Sequence, residues 1–241
     1  MPLVYDRYRH SPASGNMFLA APDAFIWRYG LQNWSEADSP RQAMGNAAEY
    51  ATAQALIHGL SDDDAEALAI AEFDKRMQGV VCEEREHVGK ITRKFLEKMR
   101  PDGPPLTYQH QITLNGALYG LKRDIVVKLD FTYEGFVRDT KATLRMPSEI
   151  KPDHARQMAA YSIATGKPVR VLYATPKRVE EYEATDIEKH WRVLVAAWRR
   201  IEALDELVRS PHHAIQIIPF NPDSYYWDET IVPKVTEAWQ I

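Results

Sequence analysis

Two aspartates flank a predicted tight turn near the middle of the chain. Residues 130–139 read Asp-Phe-Thr-Tyr-Glu-Gly-Phe-Val-Arg-Asp. If Glu134 and Gly135 form a two-residue turn between antiparallel strands, counting outward places Asp130 opposite Asp139. Directly opposed residues share one face of a sheet, with Cβ atoms about 4.5–5.5 Å apart. Two like charges there are unfavourable unless a cation lies between them, so the spacing predicts a carboxylate pair that could share one.

Lys141 adds an ammonium group to the same predicted face. Side chains alternate along a strand, so Lys141, two residues beyond Asp139, is expected beside it. Carboxylates are hard oxygen ligands of the kind that Mg²⁺ and Mn²⁺ prefer. An Asp-x-Lys triplet also occurs on exposed hairpins, where the charges simply face water. The hairpin alone therefore leaves a metal site and a solvated surface both open.

A polar stripe follows on the next predicted helix. His154, Gln157 and Tyr161 are spaced so that they fall on one helical face. Gln157 and Tyr161 carry groups that can contact phosphate oxygens. The alternative interpretation places Tyr161 in the core and Gln157 at the surface. His154 is either a phosphate contact or a helix-face histidine without a role.

A third feature is the run Gly45-Asn-Ala-Ala-Glu49, inside a predicted helix rich in alanine. Glutamate at such a position is usually an exposed helix former. Glycine there costs about 1 kcal/mol relative to alanine. We therefore expect Gly45 to have a packing reason or to let another backbone approach.

The elements that must position these residues change from helices to strands after the first hundred residues. In chain order, we predict helices from Ser11 to Gly30, over 41–58, from Ser61 and over 83–99, strands over 106–114, 117–131 and 136–143, a helix over 147–166, a strand over 169–174 and a helix over 186–208. Asn115-Gly116 is predicted to join the first two strands as a hairpin turn. The pattern predicts an α/β fold, with a mixed central sheet that contains a β-meander and is flanked by helices.

In this order, the motifs resemble the core signature of PD-(D/E)XK nucleases, in the branch of RecB-like and lambda-exonuclease-like enzymes. The resemblance rests on Asp130, on Asp139-Thr140-Lys141 and on Gln157-x-x-x-Tyr161, while Gly45-x-x-x-Glu49 is similar to the first motif in its glutamate form. Three further runs resemble small phage-borne nucleases of this superfamily. They are Ser11-Pro-Ala-Ser14, Pro147-Ser-Glu-Ile150 with His154-Ala-Arg-Gln157, and Tyr225-Tyr226-Trp227. Single motifs are weakly specific, whereas an ordered set spanning residues 11–175 is much more so.

The resemblance implies a restriction-endonuclease-like core with a helical N-terminal part. One nuclease domain would span 1–241, with the first motif in a helical part over 1–104, the catalytic core over 105–176, and a C-terminal helix and tail over 177–241. The implied activity is metal-dependent hydrolysis of DNA phosphodiester bonds, with an exonuclease that processes ends for recombination, repair or phage replication as the preferred form. A structure-specific endonuclease and a catalytically silent DNA-binding module are the alternatives.

The resemblance also implies a role for each site residue. Glu49, Asp130, Asp139 and the Thr140 carbonyl would hold Mg²⁺ or Mn²⁺. Lys141 would position or deprotonate the attacking water or stabilise the developing charge, and Gln157 and Tyr161 would hold the substrate strand. Asp124 is an alternative to Asp130 as the first acid.

Candidate contacts to the DNA backbone are basic side chains near these motifs: Arg138, Arg145, His154 and Arg156. The Tyr225-Tyr226-Trp227 run could stack on bases, although packing is the favoured interpretation. A single-strand annealing protein is a further partner that the resemblance suggests. The sequence gives neither an oligomeric state nor a strand polarity.

Charge, cysteine content and hydropathy limit the classes of protein to which this chain can belong. The chain has 241 residues, 45% of them hydrophobic, and a net charge of −4, yet residues 122–156 contain eight basic and six acidic side chains. If two of those acids bind a metal, this stretch presents a locally positive surface. The single cysteine, Cys82, excludes an iron–sulfur cluster with four cysteine ligands. The absence of a long apolar run or a signal-like start predicts a cytoplasmic protein without a membrane span, and the resemblance implies that the cell is bacterial or phage-infected.

Overall fold

The computed structural model describes residues 3–4, 8–33, 38–224, 226–227 and 231–239. Within these residues the elements are α1 (Pro12–Ala20), α2 (Pro22–Phe25), a π-helical turn (Ile26–Gly30), α3 (Pro40–His58), α4 (Asp62–Met77), α5 (Arg85–Met99), a 3₁₀ turn (Arg100–Asp102), β1 (Thr107–Leu114), a 3₁₀ helix (Gly116–Tyr119), β2 (Ile125–Thr132), β3 (Val137–Ala142), α6 (Pro152–Thr165), β4 (Val169–Ala174), β5 (Val179–Glu183), α7 (Ile187–Leu207), α8 (Pro211–Ile217) and α9 (Val232–Trp239).

The strands form one sheet in the order β1-β2-β3-β4-β5. Strands β2 and β3 pair antiparallel, β3 and β4 pair parallel, and β4 and β5 pair antiparallel. The parallel pair needs a crossover connection, which α6 provides. The predicted α/β fold with a mixed sheet flanked by helices is confirmed.

The chain divides into two compact units built from separate segments. The first unit comprises Met1–Trp34, Ile112–Val127 and Glu188–Ile241, and the second comprises Ser35–Gln111 and Lys128–Ile187. These boundaries do not coincide with the three successive parts expected from the motifs. The difference arises because the boundary between the units cuts through two strands. It divides β1 after Gln111 and β2 after Val127.

Three helices of the second unit, α3, α4 and α5, pack against one another. Helix α3 begins with a capping box in which Ser39 and Gln42 bond each other's backbone N–H groups, and it ends at Gly59 with a φ of +70°. Its buried face consists largely of alanine side chains. Small side chains let neighbouring helices approach closely, and the predicted helix over 41–58 is confirmed.

The hairpin between β2 and β3 has the predicted turn. Tyr133 N–H donates to the Phe136 carbonyl at 2.9 Å, and the next pairs outward are Thr132 with Val137 and Phe131 with Arg138. Continuing this register by one pair places residue 130 opposite residue 139. The two-residue turn therefore brings the predicted carboxylates together.

The predicted hairpin turn at Asn115-Gly116 is wrong. A short 3₁₀ helix begins at Gly116, and β2 begins only at Ile125. The Asn115 side chain accepts a hydrogen bond from the Ala117 N–H at 2.9 Å, so it caps this helix. Gly116 is needed for a close approach, since a Cβ there would lie 1.9 Å from the Arg123 carbonyl oxygen.

Helix α6 begins later than predicted, at Pro152 instead of Pro147. The carbonyl of Pro147 accepts a hydrogen bond from the Tyr182 hydroxyl at 2.9 Å, which holds the preceding segment outside the helix. The helix ends at Gly166, with a φ of +69°, as predicted. Strand β5 was not predicted, because its sequence Val-Glu-Glu-Tyr-Glu carries too many charges to look like a strand.

In the first unit, the predicted helix from Ser11 to Gly30 is broken after Ala20, and α2 and a π-helical turn follow. The Ser11 capping box is present, and the Ser11 carbonyl accepts a hydrogen bond from Trp198 Nε1 at 3.2 Å. A helix break before Pro22 follows from the restricted backbone that precedes a proline.

Of the aromatic run near the C-terminus, Trp227 is packed against other rings, whereas Tyr226 is exposed. Trp227 contacts the rings of Trp27 and Phe220, and its Nε1 donates to Asp23 Oδ2 at 3.2 Å. This arrangement agrees with the favoured packing interpretation. Tyr225 lies outside the described residues. No helix among the described residues is long and apolar enough to cross a membrane.

Candidate functional site

The centre of the candidate site is the face of the β2–β3 hairpin that carries Asp139 and Lys141. The Asp139 side chain is fully buried, and Lys141 Nζ lies 2.7 Å from its Oδ2 atom. Lys141 is therefore the charged partner of this oxygen, and one ammonium faces a fully buried carboxylate.

Helix α6 contributes a hydroxyl that joins the two aspartates. The Tyr161 hydroxyl lies 3.5 Å from Asp130 Oδ1 and 3.4 Å from Asp139 Oδ1, and it accepts a hydrogen bond from Gln157 Nε2 at 2.7 Å. Burial, and then the charges of the two aspartates, raise the pKa of Tyr161 well above its usual value. The hydroxyl therefore stays protonated and acts as a donor to the carboxylates.

Tyr161 was expected to hold the substrate strand, and the structure corrects this expectation. The side chain is 1% exposed. Its hydroxyl is turned toward Asp130 and Asp139, and Gln157 is engaged with that hydroxyl. Tyr161 therefore lacks the surface to contact DNA, and the helical stripe orients the carboxylates instead.

Helix α3 brings the third carboxylate, Glu49. Its Oε1 atom accepts a hydrogen bond from Gln109 Nε2 at 3.0 Å, and the nearby Tyr108 hydroxyl lowers the pKa of this carboxylate. Burial raises the pKa of Glu49, whereas the Gln109 hydrogen bond and the Lys141 charge oppose the increase. Glu49 is therefore an electrostatic neighbour of the hairpin residues, as the resemblance implied, and not an isolated surface glutamate.

The packing reason expected for Gly45 is absent. Helix α3 contacts β3, but a Cβ added to Gly45 would meet only the Ala142 Cβ, at 4.0 Å. That distance is an ordinary van der Waals contact. Nothing in the structure explains why this position is glycine.

The acidic groups outnumber the basic ones at this site. Burial, followed by the charges of Glu49 and Asp139, raises the pKa of Asp130 well above its usual range. Burial opposes the charged form of Lys141, but Asp139 and Asp130 outweigh it and raise the pKa of Lys141. Three ionised carboxylates and one ammonium give a net charge of −2. Protons or a divalent cation would neutralise that charge.

Asp130 and Asp139 fit a divalent cation by their chemistry. They offer hard oxygen ligands, and the acidic groups around them outnumber the one ammonium, Lys141. At their present positions, the described residues contain no group of three or more His, Cys, Asp or Glu arranged around an ion. The hydrogen bond from Gln109 holds Glu49 beside the pair. Thr140 lies between Asp139 and Lys141 in β3, and a ligand role for its carbonyl stays a prediction.

Arg138, expected to contact the DNA backbone, is instead buried. It is 1% exposed and forms ion pairs with Asp102 at 2.8 Å and with Glu181 at 2.6 Å. Its guanidinium also lies over the Phe136 ring, 4.9 Å from the centroid. Strand alternation places Arg138 on the face opposite Asp139. The prediction of a phosphate contact is therefore wrong for this residue.

His154 is neutral and hydrogen-bonded, which removes the charge expected of a phosphate contact. Its Nδ1 lies 2.6 Å from the Tyr173 hydroxyl. Burial, and then the charge of Lys141, lower the pKa of His154 to about 4. Arg145 is exposed and Arg156 is half-buried, so contacts from these two side chains to DNA stay predictions.

The alternative first acid, Asp124, belongs to the first unit. Its Oδ1 accepts a hydrogen bond from the Gly116 N–H at 3.3 Å, and its carbonyl accepts one from the His10 N–H at 3.0 Å. The hairpin places Asp130 next to Asp139. The choice of Asp130 over Asp124 therefore agrees with the structure.

Sequence reasoning missed two residues of the site, Tyr108 and Gln109. Both lie in β1 and contact Glu49, which is far away along the chain. No motif or periodicity marks them. Only the pairing of β1 with the rest of the sheet brings them to α3.

Comparisons with known proteins add little to this picture. No protein-family model and no curated protein matches the sequence of this chain. A solved structure described as "Crystal structure of SSO0001" aligns with 83% of this chain and 90% of its own, at 12% identity and a TM-score of 0.36. A similarity at this level supports no statement about function.

The raised pKa of Asp130 predicts that Asp130→Asn stabilises the metal-free protein at pH 8. Above its folded-state pKa, ionised Asp130 is penalised by burial and by two neighbouring carboxylates, and the amide removes that penalty. The thermal midpoint in EDTA should rise by about 2–4 °C for each kcal/mol gained. The difference should shrink toward pH 4, where Asp130 is protonated in the folded protein.

Glu134→Gln is the matched control, because it removes an exposed carboxylate from the turn of the same hairpin. It should leave the midpoint unchanged at both pH values. A lower midpoint for Asp130→Asn than for wild type at pH 8 would show that the ionised carboxylate is not under strain.

Proposed function

We propose that this protein is a Mg²⁺- or Mn²⁺-dependent deoxyribonuclease that hydrolyses phosphodiester bonds, acting as an exonuclease on DNA ends. The observation that carries the proposal is the meeting of Asp130, Asp139 and Lys141 on one hairpin face, with Glu49 from α3 beside them. The same residues form the ordered motifs that resemble PD-(D/E)XK nucleases. Motif order and spatial convergence are separate observations that support the same chemistry.

Asp130 and Asp139 are the groups that would hold the cation, with Glu49 as the third carboxylate. A divalent cation bound there would offset negative charge at the scissile phosphate and favour formation of hydroxide from water. Tyr161 fixes the orientation of the aspartates through its shared hydroxyl, and Gln157 fixes Tyr161. Tyr161 acts on the carboxylates and not on the substrate, whereas a contact from the half-buried Gln157 to the substrate strand stays a prediction.

Lys141 supplies the positive charge that faces the substrate. Its side chain is 22% exposed, whereas that of Asp139 is fully buried, so Lys141 is the more accessible member of the pair. A charged ammonium can donate a hydrogen bond to a non-bridging phosphate oxygen. That contact strengthens as negative charge develops in the transition state.

A catalytically silent DNA-binding module is the alternative from a different functional class. The complete set of acids and the lysine argues against it, because a binding module has no need for a buried, mutually repelling carboxylate pair. A structure-specific endonuclease would use the same catalytic atoms. As part of this proposal, the exonuclease acts in the cytoplasm of a bacterial or phage-infected cell. Its partner there is a single-strand annealing protein.

The proposal is tested with linear and covalently closed circular duplex DNA of the same sequence, in Mg²⁺, in Mn²⁺ and in EDTA. We expect linear DNA to be degraded in either metal, closed circles to persist, and all cleavage to stop in EDTA. Cleavage of closed circles would favour the endonuclease. Intact DNA in both metals would contradict the nuclease proposal, and full cleavage in EDTA would contradict its dependence on metal.

Lys141→Gln and Arg145→Ala should separate chemistry from binding. Lys141→Gln keeps most of the side-chain volume and removes the charge, so single-turnover cleavage should slow by roughly 10²-fold or more. Its DNA affinity, measured in Ca²⁺, should change little because one phosphate contact is a small part of the total.

Arg145→Ala is the matched variant on the exposed segment after β3. It should weaken binding and reduce the salt dependence, while the cleavage rate at saturating DNA stays close to wild type. Equal losses of rate and affinity in both variants would indicate that the hairpin grips phosphate and does no chemistry.

A further inference from the structure

Strand β1 contains a backbone conformation that is unusual for its residue type. Gln109 has a φ of +52° although it lies inside Thr107–Leu114 and is not glycine. Only a few per cent of non-glycine residues adopt a positive φ, and asparagine, aspartate and histidine account for a large share of them. Glutamine has no local side-chain bond that would favour this conformation, so the surrounding structure imposes it.

The strained position determines where two neighbouring side chains point. In a regular strand, successive side chains point to opposite faces of the sheet. Tyr108 and Gln109 are successive, yet the Gln109 amide donates a hydrogen bond to Glu49 and the Tyr108 hydroxyl is near enough to affect the pKa of the same carboxylate. The left-handed turn at Gln109 accounts for this, since it rotates the chain enough to bring both side chains to one side.

The Gln109 side chain contributes nothing to a core that would justify the strain. The residue is exposed, and its amide donates to Glu49 Oε1 at 3.0 Å. Glu49 is the acid that α3 brings to the hairpin carboxylates. A costly conformation whose visible result is one contact to a site residue is typical of strain retained for function.

We propose that Gln109 is a positioning residue for Glu49, and that its strained backbone and side-chain amide act together as a clamp on this carboxylate. The inference rests on the proposed function, because it treats Glu49 as the third ligand of the cation. Carboxylates that bind metals are commonly oriented by hydrogen bonds from outside the ligand set. The clamp fixes one oxygen of Glu49 and keeps the carboxylate next to Asp130 and Asp139.

The test uses two variants at position 109 and one control. Gln109→Gly removes both the strain and the donor, whereas Gln109→Ala removes the donor and keeps a Cβ in the strained conformation. The control is Gln78→Gly. Gln78 is an exposed glutamine with a φ of +49° at the end of α4, so the substitution relieves the same strain in the same unit away from Glu49.

Two readouts separate the strain from the clamp. In EDTA, Gln109→Gly and Gln78→Gly should both raise the thermal midpoint by about 2–4 °C, and Gln109→Ala should leave it nearly unchanged. Calorimetric titration with Mn²⁺ should show affinity reduced about 10-fold or more in both Gln109 variants. Gln78→Gly should bind Mn²⁺ as wild type does.

Unchanged or tighter Mn²⁺ binding in the two Gln109 variants would overturn the positioning role. A wild-type protein that binds no Mn²⁺ would overturn both this role and the metal-dependent nuclease. A wild-type protein that binds Mn²⁺ but cleaves no DNA would contradict the nuclease alone, and a loss of affinity in the Gln109 variants would still support the clamp.

Discussion

The repulsion between the neighbouring carboxylates of Asp130 and Asp139 is the constraint on which the site depends. Asp130 and Asp139 are brought together by the register of a two-residue turn, and both contact the hydroxyl of Tyr161. Burial strengthens their repulsion because solvent screening is lost. A fold that only needed stability would place apolar or neutral side chains at these positions. The pair persists because the hairpin register fixes it, and its energetic cost is the reason to expect a cation there.

The neighbouring elements reduce this cost without removing it. Lys141 supplies one positive charge, and α6 supplies a shared hydroxyl donor. Helix α3 then adds Glu49, which increases the negative charge, and Gln109 adopts an unfavourable φ to bond it. The last two features are unfavourable by themselves, and the proposed cation would give both of them a role.

Local rules predicted the parts of the fold that local interactions determine. The turn at Glu134-Gly135 follows from its two residues and the strands around it, and the opposition of the aspartates follows by counting. The predicted hairpin at Asn115-Gly116 was wrong because Gly116 does not form a turn between strands. It is glycine because the Arg123 carbonyl lies too close for a side chain. The hydrogen bond between Gln109 and Glu49 could not be predicted from the sequence, because it depends on the tertiary packing of β1 near α3. For Arg138, the alternation that placed Lys141 beside Asp139 already implied the opposite face, so that error was avoidable.

The most direct test of the cation site is the anomalous scattering of Mn²⁺ in crystals of the wild-type protein soaked with MnCl₂. We expect an anomalous peak within bonding distance of carboxylate oxygens of both Asp130 and Asp139. We also expect Lys141 Nζ to move away from Asp139 Oδ2, which lies 2.7 Å from it in the structure described above. A map with no peak between the two aspartates at saturating Mn²⁺, and with the Lys141 ion pair intact, would contradict the account.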